Sequence, residues 1–330
     1  MIADLNRARS HVTRAAMLAI LILISACKAS SLPFHKAEIK QAVTANDLAS
    51  DSQDPGPIRL QKIVSSDWQI GLAGLLNIED PKAKAALIED RSEPIQLYFY
   101  VIDHPQFGRF FIDSGVSNLF AVPEDGSMSL ANRALAAIAS TAGFTIHSTT
   151  GNWIKSNPPL PQAVFLTHMH FDHVLGLSDI PDSVPIFTGQ GETDHRAVGN
   201  FGLQKIINAL IGWDRPIFEI PFVKTADLDI VDWFGDKTFF VISAPGHTRG
   251  SLAFLVRSTE GWQLIVGDSS HTRWGWENSV RPGSFTDFGP DNQKTLEQLI
   301  ALSKELPNVK IHPGHQSATS KGVLEEIPAK

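Results

Sequence analysis

The chain has 330 residues, of which 43% are hydrophobic, and it carries a formal net charge of −7 with a pI of about 5.9. This length and apolar content allow one large domain or two small ones, each with a sizeable core. Because there is no global basic field, we expect no nucleic-acid partner. Cys27 is the single cysteine, which excludes a disulfide within the chain.

Residues 1–26 are predicted to be a lipoprotein signal peptide. A basic start is followed by a short apolar run that is too short to span a bilayer, and the segment closes on Ile24-Ser25-Ala26-Cys27. This tetrapeptide resembles a bacterial lipobox, in which the cysteine is lipidated. We therefore expect Cys27 to anchor the chain to a lipid membrane of the bacterial cell envelope, at the periplasmic face of the outer membrane. The alternative is a signal peptide that is cut elsewhere and a cysteine present by chance.

The rest of the chain is predicted to consist of a tether over residues 27–57 and one domain over residues 58–330. The tether is polar and lacks strong periodicity. In the domain, apolar runs predict strands and 3.6-residue spacing predicts helices. The strands are expected at 58–64, 95–102, 109–112, 163–166, 184–188, 239–242, 252–256, 262–266 and 309–311. The helices are expected at 129–142, 201–213 and 292–306, the last capped by Asp291.

The densest motif lies directly after the apolar run 163–166. Four side chains able to bind a metal, His168, His170, Asp172 and His173, fall within six residues. A strand that ends in such a motif projects its side chains into a loop, where several of them can converge on one small volume. The sequence therefore predicts a metal site at the end of this strand.

Three further apolar runs lead at once into histidine or aspartate. The runs ending near residues 242, 266 and 311 are followed by His247, Asp268 and His315. Each histidine alone would more often be a turn residue, but one metal site at a common sheet edge explains all four strand ends. Six further histidines are expected on the surface or in the core: His11, His35, His104, His147, His195 and His312.

Seven residues thus form a candidate ligand set for two ions. His168, His170 and His247 are assigned to one ion, Asp172, His173 and His315 to the other, and Asp268 is expected to bridge them. Imidazole and carboxylate ligands without a thiol suit zinc and related divalent ions, so two Zn²⁺ ions are the predicted cofactors. Seven protein ligands for two ions leave room for water, as a catalytic site requires.

These residues resemble the motifs of the metallo-β-lactamase superfamily over residues 95–315. The resemblance implies an α/β fold (α+β), a four-layer αβ/βα sandwich of two mixed β-sheets with helices outside. It also implies attack of metal-bound hydroxide on an ester, lactone, thioester, amide or phosphoester. Asp172 is expected to orient the hydroxide and to pass its proton to the leaving group. Asp113, at the end of a strand, is expected either to orient a ligand histidine or to form a simple turn.

The same resemblance favours particular branches. Aspartate at position 268 is similar to the glyoxalase II and N-acyl-homoserine lactonase branches, whereas β-lactamases of this fold have Cys or Ser there. Three residues later those lactonases carry a Tyr, and this chain has His271, which is a candidate catalytic hydrogen-bond donor. Because the signal peptide predicts export of the chain, the expected substrate is a small lactone or carboxylic ester outside the cytoplasm. The alternatives are a phosphotriester or thioester hydrolase, an iron-dependent oxidoreductase of this fold, and a non-catalytic surface protein.

Two apolar segments are candidates for the wall of the substrate pocket. They are residues 201–213 and residues 272–288. Both segments would serve equally well in the core.

Overall fold

A computed structural model describes residues 28–49, 55–122, 129–196, 203–225, 227–306, 308–315 and 327–328. The predicted signal peptide and Cys27 therefore lie outside the described residues. Among the residues that are described, no helix combines the length and the apolar character that a membrane span requires.

The described strands form two mixed sheets. The first sheet has eight strands in the order β1-β9-β8-β7-β5-β4-β3-β6, and the second has seven in the order β15-β14-β13-β12-β11-β10-β2. The first sheet comprises β1 His35–Lys36, β3 Arg59–Gly71, β4 Ser92–His104, β5 Gly108–Ile112, β6 Thr145–Ile146, β7 Ala163–Phe165, β8 Ile186–Gly189 and β9 Ile217–Ile220. The second comprises β2 Gln41–Val43, β10 Ile230–Asp232, β11 Phe239–Ser243, β12 Leu252–Ser258, β13 Gly261–Gly267, β14 Lys310–Pro313 and β15 Ile327–Pro328.

Nine α-helices are described, and most are short. They are α1 Ala45–Ala49, α2 Leu72–Leu75, α3 Pro81–Ala85, α4 Leu130–Thr141, α5 Thr150–Ser156, α6 Phe171–Val174, α7 Gln204–Ile211, α8 Arg273–Asn278 and α9 Gly289–Glu305. The predicted long helices at 129–142, 201–213 and 292–306 correspond to α4, α7 and α9. The prediction that Asp291 caps α9 is wrong, because the helix begins at Gly289 with Phe288 at the N-cap and a proline in the first turn.

The sandwich prediction is confirmed, and aromatic side chains fill the space between the two sheets. Phe165 of the first sheet packs against Phe239 and Phe254 of the second, with ring centroids 5.1 and 5.9 Å apart. All three rings are fully buried. Further apolar clusters lie under the helices on each outer face, such as the one in which Leu296 and Leu299 of α9 pack on the second sheet. Two sheets and two helical layers are thus held together by separate apolar clusters.

The structure differs from the predicted tether at residues 28–49. In this segment β1 pairs with β9 in parallel and β2 pairs with β10 in antiparallel fashion, so one short segment extends both sheets. Leu32, Ala37, Val43 and Leu48 are buried. Strands of two and three residues are too short to produce a recognisable alternation in the sequence, which is why the segment looks like a linker.

Candidate metal centre

The seven predicted ligands meet at one end of the sandwich, where loops from both sheets converge. The loop after β7 in the first sheet carries residues 168–173, and its last part forms the one-turn helix α6. The loops after β11, β13 and β14 in the second sheet carry His247, Asp268 and His315. The site is therefore built across two sheets, and not at the edge of a single sheet as the sequence suggested.

The ligand atoms fall into two groups. His168, His170, His247 and Asp268 form one group, and Asp172, His173 and His315 form the other, with the ligand atoms of each group within 4.8 Å of one another. In the first group His247 Nε2 lies 2.9 Å from His170 Nδ1. In the second, Asp172 Oδ2 lies 3.2 Å from His315 Nε2. This division is the one that the sequence analysis assigned to two ions.

Asp268 lies between the two groups. Its Oδ2 atom is 3.6 Å from Nε2 of His168 and 3.4 Å from Nε2 of His247, both in the first group. The same oxygen is 3.5 Å from Nε2 of His173 and 3.4 Å from Nε2 of His315 in the second group. One carboxylate oxygen thus faces imidazole nitrogens from both groups, which is the position that a bridging ligand needs.

A close backbone approach keeps Asp268 in place. A Cβ atom at Gly314 would lie 2.0 Å from Asp268 Oδ1, so only glycine allows the loop that carries His315 to pass so near to this carboxylate. Gly314 N also donates a hydrogen bond of 3.0 Å to Ser270 O. The Pro-Gly-His sequence at the end of β14 therefore has a packing role besides carrying a predicted ligand.

Asp113 orients His173, as one of the two predictions for this residue stated. Asp113 Oδ2 lies 2.9 Å from His173 Nδ1, and Oδ1 accepts a hydrogen bond of 2.8 Å from Thr167 N. Since Nδ1 faces a carboxylate, it carries a proton, and Nε2 is the ring atom directed to the metal centre. Burial would lower the pKa of His173, but Asp113, Asp268 and Asp172 raise it well above the usual value. Asp113 has φ 57°, an uncommon backbone conformation that these contacts stabilise.

Glu192 is a residue of this region that the sequence analysis missed. It is fully buried, and Oε1 accepts a hydrogen bond of 2.8 Å from Met169 N, between His168 and His170. Oε2 accepts from Thr248 Oγ1 at 2.7 Å and from Gly250 N at 2.9 Å. One carboxylate therefore ties the β7 loop to the loop of His247. A lone Glu in a Gly-Glu-Thr sequence gives no signal of this role.

The electrostatics of the site follow from burial and close charges. Burial lowers the pKa of His168 and His247 well below the usual value, so these imidazoles are neutral, the form that binds metal. For His315, burial is outweighed by Asp268 and the other nearby carboxylate, which raise its pKa to about 10. Burial would raise the pKa of Asp268, but the surrounding histidines hold it well below the usual range. Ion binding at neutral pH therefore displaces protons from this cluster.

The donor set fits a pair of divalent ions. Among the described residues, His168 Nε2, His173 Nε2 and Asp268 Oδ1 are buried polar atoms without a hydrogen-bond partner. Such atoms are costly in a protein interior unless a ligand satisfies them. Since the set has only imidazole and carboxylate atoms, it suits borderline-to-hard divalent ions.

A cavity of about 390 Å³ opens onto the centre. Its walls are mostly apolar, and both segments predicted to line the pocket contribute to it: Leu203 and Ile207 from the first, Phe285 from the second. The other apolar wall residues are Trp68, Ile70, Leu75, Ile95 and Phe171. Phe201 of the first segment lies outside the described residues. The cavity can therefore take a small molecule with an apolar part.

His271 also lines this cavity and is almost fully buried. Its Nδ1 atom donates a hydrogen bond of 3.0 Å to Leu75 O, and its Nε2 atom lies 3.0 Å from Asp268 Oδ2. The residue is thus placed beside Asp268 in the wall of the cavity, with both ring nitrogens facing protein oxygens. Its catalytic role stays a prediction.

The family model of the metallo-beta-lactamase superfamily matches residues 133–315. This match covers more than half of the chain, and the chain belongs to this superfamily. The prediction of a metal-dependent enzyme of this kind is confirmed at the level of the family.

Several relatives with assigned activities are similar to this chain. Gamma-lactamase FDB1 of Fusarium pseudograminearum is 30% identical over 118 residues, which are 33% of this chain and 29% of the relative. N-acyl homoserine lactonase AttM of Agrobacterium fabrum is 29% identical over 148 residues, 43% of this chain and 53% of the relative. The chain thus spans about a third of the first relative and about half of the second.

Solved structures show the same fold. A structure of an N-acyl homoserine lactone hydrolase with N-hexanoyl-L-homoserine at its catalytic metal centre has a TM-score of 0.55 and 16% identity, and the match covers 83% of this chain and 100% of that one. The AiiA protein of B. thuringiensis with bound N-decanoyl-L-homoserine has a TM-score of 0.55 and 15% identity, covering 81% and 98%. At these identities the likeness shows the fold alone.

Proposed function

We propose that the protein hydrolyses a small lactone or carboxylic ester with the help of two divalent metal ions, Zn²⁺ in our assignment. The observation that carries this proposal is the position of Asp268, whose Oδ2 atom lies within 3.6 Å of ligand nitrogens from both groups. His168, His170 and His247 would hold one ion, Asp172, His173 and His315 the other, and Asp268 would contact both. The ions would supply an activated water and polarise the substrate carbonyl.

The residues of the chain perform the remaining steps. Asp172 lines the cavity. Burial would raise the pKa of its carboxyl group, but His173 and His315 outweigh burial and lower that pKa. It stays an anion at neutral pH, which suits it to orient the attacking water, and we assign to it the transfer of that water's proton. That proton would pass to the leaving alkoxide. The predicted hydrogen-bond donor His271 lines the same cavity, with its ring nitrogens facing Leu75 O and Asp268 Oδ2.

The cavity supports a small substrate with an apolar part. Its walls combine aliphatic and aromatic side chains with the polar cluster at one end. The lactonase names of the relatives and of the structures with the same fold favour a lactone. Aspartate at position 268 favours the lactonase-like branches over the β-lactamases.

A hydrolysis screen of metal-loaded protein tests this proposal. The panel contains γ-lactones, aryl esters, a thioester and phosphotriesters. We expect turnover of lactones or esters, and a loss of about 10²- to 10⁴-fold in kcat for Asp172→Asn, the range typical of general acid–base catalysis. Turnover of phosphotriesters alone, or equal activity of the Asp172→Asn variant, would contradict the assignment.

We also propose that Cys27 anchors the mature chain to a lipid membrane of the cell envelope. The lipobox-like sequence supports this proposal. The described chain begins at Lys28 beside α7, where Gln204 Nε2 donates to Lys28 O at 2.8 Å. Replacement of Cys27 with serine should move the protein from the membrane to the soluble fraction of expressing cells. Membrane retention of this variant would show that the cysteine is not the anchor.

A further inference from the structure

The outer side of helix α7 exposes large apolar side chains. Ile206 of α7 is 51% exposed, and Trp213, two residues after the end of the helix, is 63% exposed. Ala209, which follows Ile206 by three positions and so lies on the same helical face, is also exposed. We call these three residues the α7 surface. Large apolar side chains grouped in this way on the outside of a protein mark a site of contact with a partner or a membrane.

Trp213 is exposed on a well-supported piece of backbone. Gly212, directly before it, turns the chain at φ 98°, a conformation that glycine adopts without strain. Arg215, two residues after it, is buried and donates hydrogen bonds of 2.9 Å to the carbonyl oxygens of Pro181 and Val184. The position of Trp213 is therefore a feature of the fold and not of a loose loop.

The first described residues of the chain are fixed against α7. Gln204 Nε2 donates a hydrogen bond of 2.8 Å to Lys28 O. Ser30 Oγ donates to Asn208 Oδ1 at 2.8 Å, and Asn208 Nδ2 donates to Ser31 Oγ at 2.7 Å. This part of the chain is thus held along the helix, in place of the flexible tether that the sequence predicted.

A lipid on Cys27 would bring α7 to the bilayer. Cys27 directly precedes Lys28, and consecutive Cα atoms are about 3.8 Å apart, so no spacer separates the lipid from the domain. The helix has eight residues and is only about 12 Å long. Ile206 and Trp213 thus lie within roughly 20 Å of the attachment point. Tryptophan is the kind of side chain that favours the boundary between lipid and water.

A bilayer fits the α7 surface better than a second copy of the chain does. The exposed parts of Trp213 and Ile206 amount to at most about 400 Å² for side chains of this size. A stable protein–protein interface buries about 800 Å² on each partner. A bilayer needs less, because the lipid already supplies most of the binding and one additional weak contact is enough to make the anchoring firm.

The same N-terminal segment is also joined to the metal centre. Ala29 N donates a hydrogen bond of 2.8 Å to His195 O, and His195 Nε2 lies 2.6 Å from Asp287 Oδ2. Asp287 N in turn donates one of 3.1 Å to the carbonyl oxygen of the candidate ligand His247. Helix α7 itself forms part of the cavity wall. Contact of α7 with a membrane would therefore fix the orientation of the metal centre relative to the lipid.

We infer that the α7 surface docks onto the lipid bilayer that holds the anchor, with Ile206 and Trp213 at the boundary between head groups and acyl chains. It rests on the proposed anchor at Cys27 and adds a defined orientation of the domain. The helical layer of α7, packed on the first sheet, lies against the membrane, and the layer of α9, packed on the second sheet, faces away from it.

A fluorescent label on an introduced cysteine tests the docking in the full-length, lipidated chain. Cys27 is the single cysteine, and its thiol is consumed by the lipid, so Ala209→Cys carries one reactive thiol. Ala301→Cys is the matched control, since Ala301 is an exposed alanine on α9. The proteins are reconstituted in vesicles of phosphatidylcholine and phosphatidylglycerol with brominated acyl chains. We expect the bromine to quench the label at position 209 at least about twofold more than the label at position 301, since docked side chains lie ~5–10 Å into the boundary.

Serine variants assign the quenching to the two large side chains. Ile206→Ser combined with Trp213→Ser should reduce the quenching at position 209 to the level at position 301. Both residues are exposed, so urea unfolding should show that the stability of the variant is retained. Equal quenching at positions 209 and 301 in the parent chain, or full quenching at position 209 in the serine variant, would overturn the inference.

The Cys27→Ser background separates the docking from the proposed anchor. If this variant stays on the vesicles and the label at position 209 is still quenched, the anchor fails and the α7 surface stands. If it is released, while the lipidated chain shows no quenching at position 209, the anchor stands and the surface is wrong. Shielding of this label without lipid, increasing with protein concentration, would assign the surface to a second copy of the chain and also overturn the inference. Hydrolysis of lactones or esters has no bearing on these outcomes.

Discussion

Replacement of Glu192 by glutamine should weaken metal binding although Glu192 is not itself a ligand. The two oxygens of this buried carboxylate accept hydrogen bonds from three donors, Met169 N, Thr248 Oγ1 and Gly250 N. An amide has one oxygen, so at least one of these donors must face an NH2 group. A buried donor without an acceptor costs about 1–3 kcal/mol in the free energy of unfolding.

The loss should also appear in the affinity for metal. Because Glu192 fixes the backbone beside His168, His170 and His247, we expect affinity to fall roughly 10- to 100-fold, as found when partners of metal ligands are removed. Competition with a chromogenic chelator measures the affinity, and urea unfolding measures the stability of the metal-free variant.

Asp232 offers a matched control for this experiment. It is fully buried in the second sheet, and its two oxygens accept from Gly235 N and Lys237 N, both at 2.9 Å. Asp232→Asn should therefore cost similar stability while metal affinity is retained. The reasoning is refuted if Glu192→Gln binds metal as tightly as wild type, or if Asp232→Asn lowers the affinity by the same factor.

Three further predictions concern other parts of the structure. Asp113→Asn should lower affinity about 10- to 100-fold for the ion bound by His173 and leave the other ion in place, which stepwise metal titration detects. Burial lowers the pKa of His312, so below about pH 6.5 the unfolded chain binds a proton at this residue while the folded chain does not. The free energy of unfolding is therefore highest above about pH 6.5 and falls by up to ~1.4 kcal/mol per pH unit below it. Urea unfolding at pH 7 and pH 5 should show a smaller loss for His312→Asn than for wild type. Gly74→Ala would place a Cβ atom 2.1 Å from the Phe285 ring, so it should displace this ring and change KM more than kcat, whereas unchanged kinetics would contradict the packing.

The ligand set was accessible to sequence analysis because it combines a dense local motif with distant residues that follow recognisable strands. His168, His170, Asp172 and His173 lie in one short segment, and their spacing alone indicates metal binding. His247 is less specific by itself, but it follows an apolar run as they do. The fold class could be predicted from the same residues, since the resemblance to a superfamily depends on them.

Glu192 and the His195–Asp287 pair could not be predicted in the same way. Glu192 acquires its role from donors 23, 56 and 58 positions away in the sequence, and His195 contacts Asp287 over a separation of 92 residues. A lone buried acid or histidine leaves no periodic pattern. Its function depends on which loops the fold brings together, which only the three-dimensional structure shows.

The N-terminal segment was misjudged for a different reason. β1 and β2 are edge strands of two and three residues, and their stability comes from pairing with β9 and β10 and not from their own sequence. Local propensity is a weak guide where tertiary pairing decides the conformation. The buried Leu32 and Leu48 were the only hints, and they are isolated apolar residues in a polar segment.

The dinuclear centre built around Asp268 is tested by the metal stoichiometry of purified protein and of its Asp268→Ala variant, measured together with lactone and ester hydrolysis. We predict two equivalents of divalent metal per wild-type chain, fewer than two in the variant, and loss of hydrolysis when the carboxylate of Asp268 is removed. Fewer than two equivalents in the wild type, with unchanged hydrolysis in Asp268→Ala, would contradict a dinuclear centre built around Asp268.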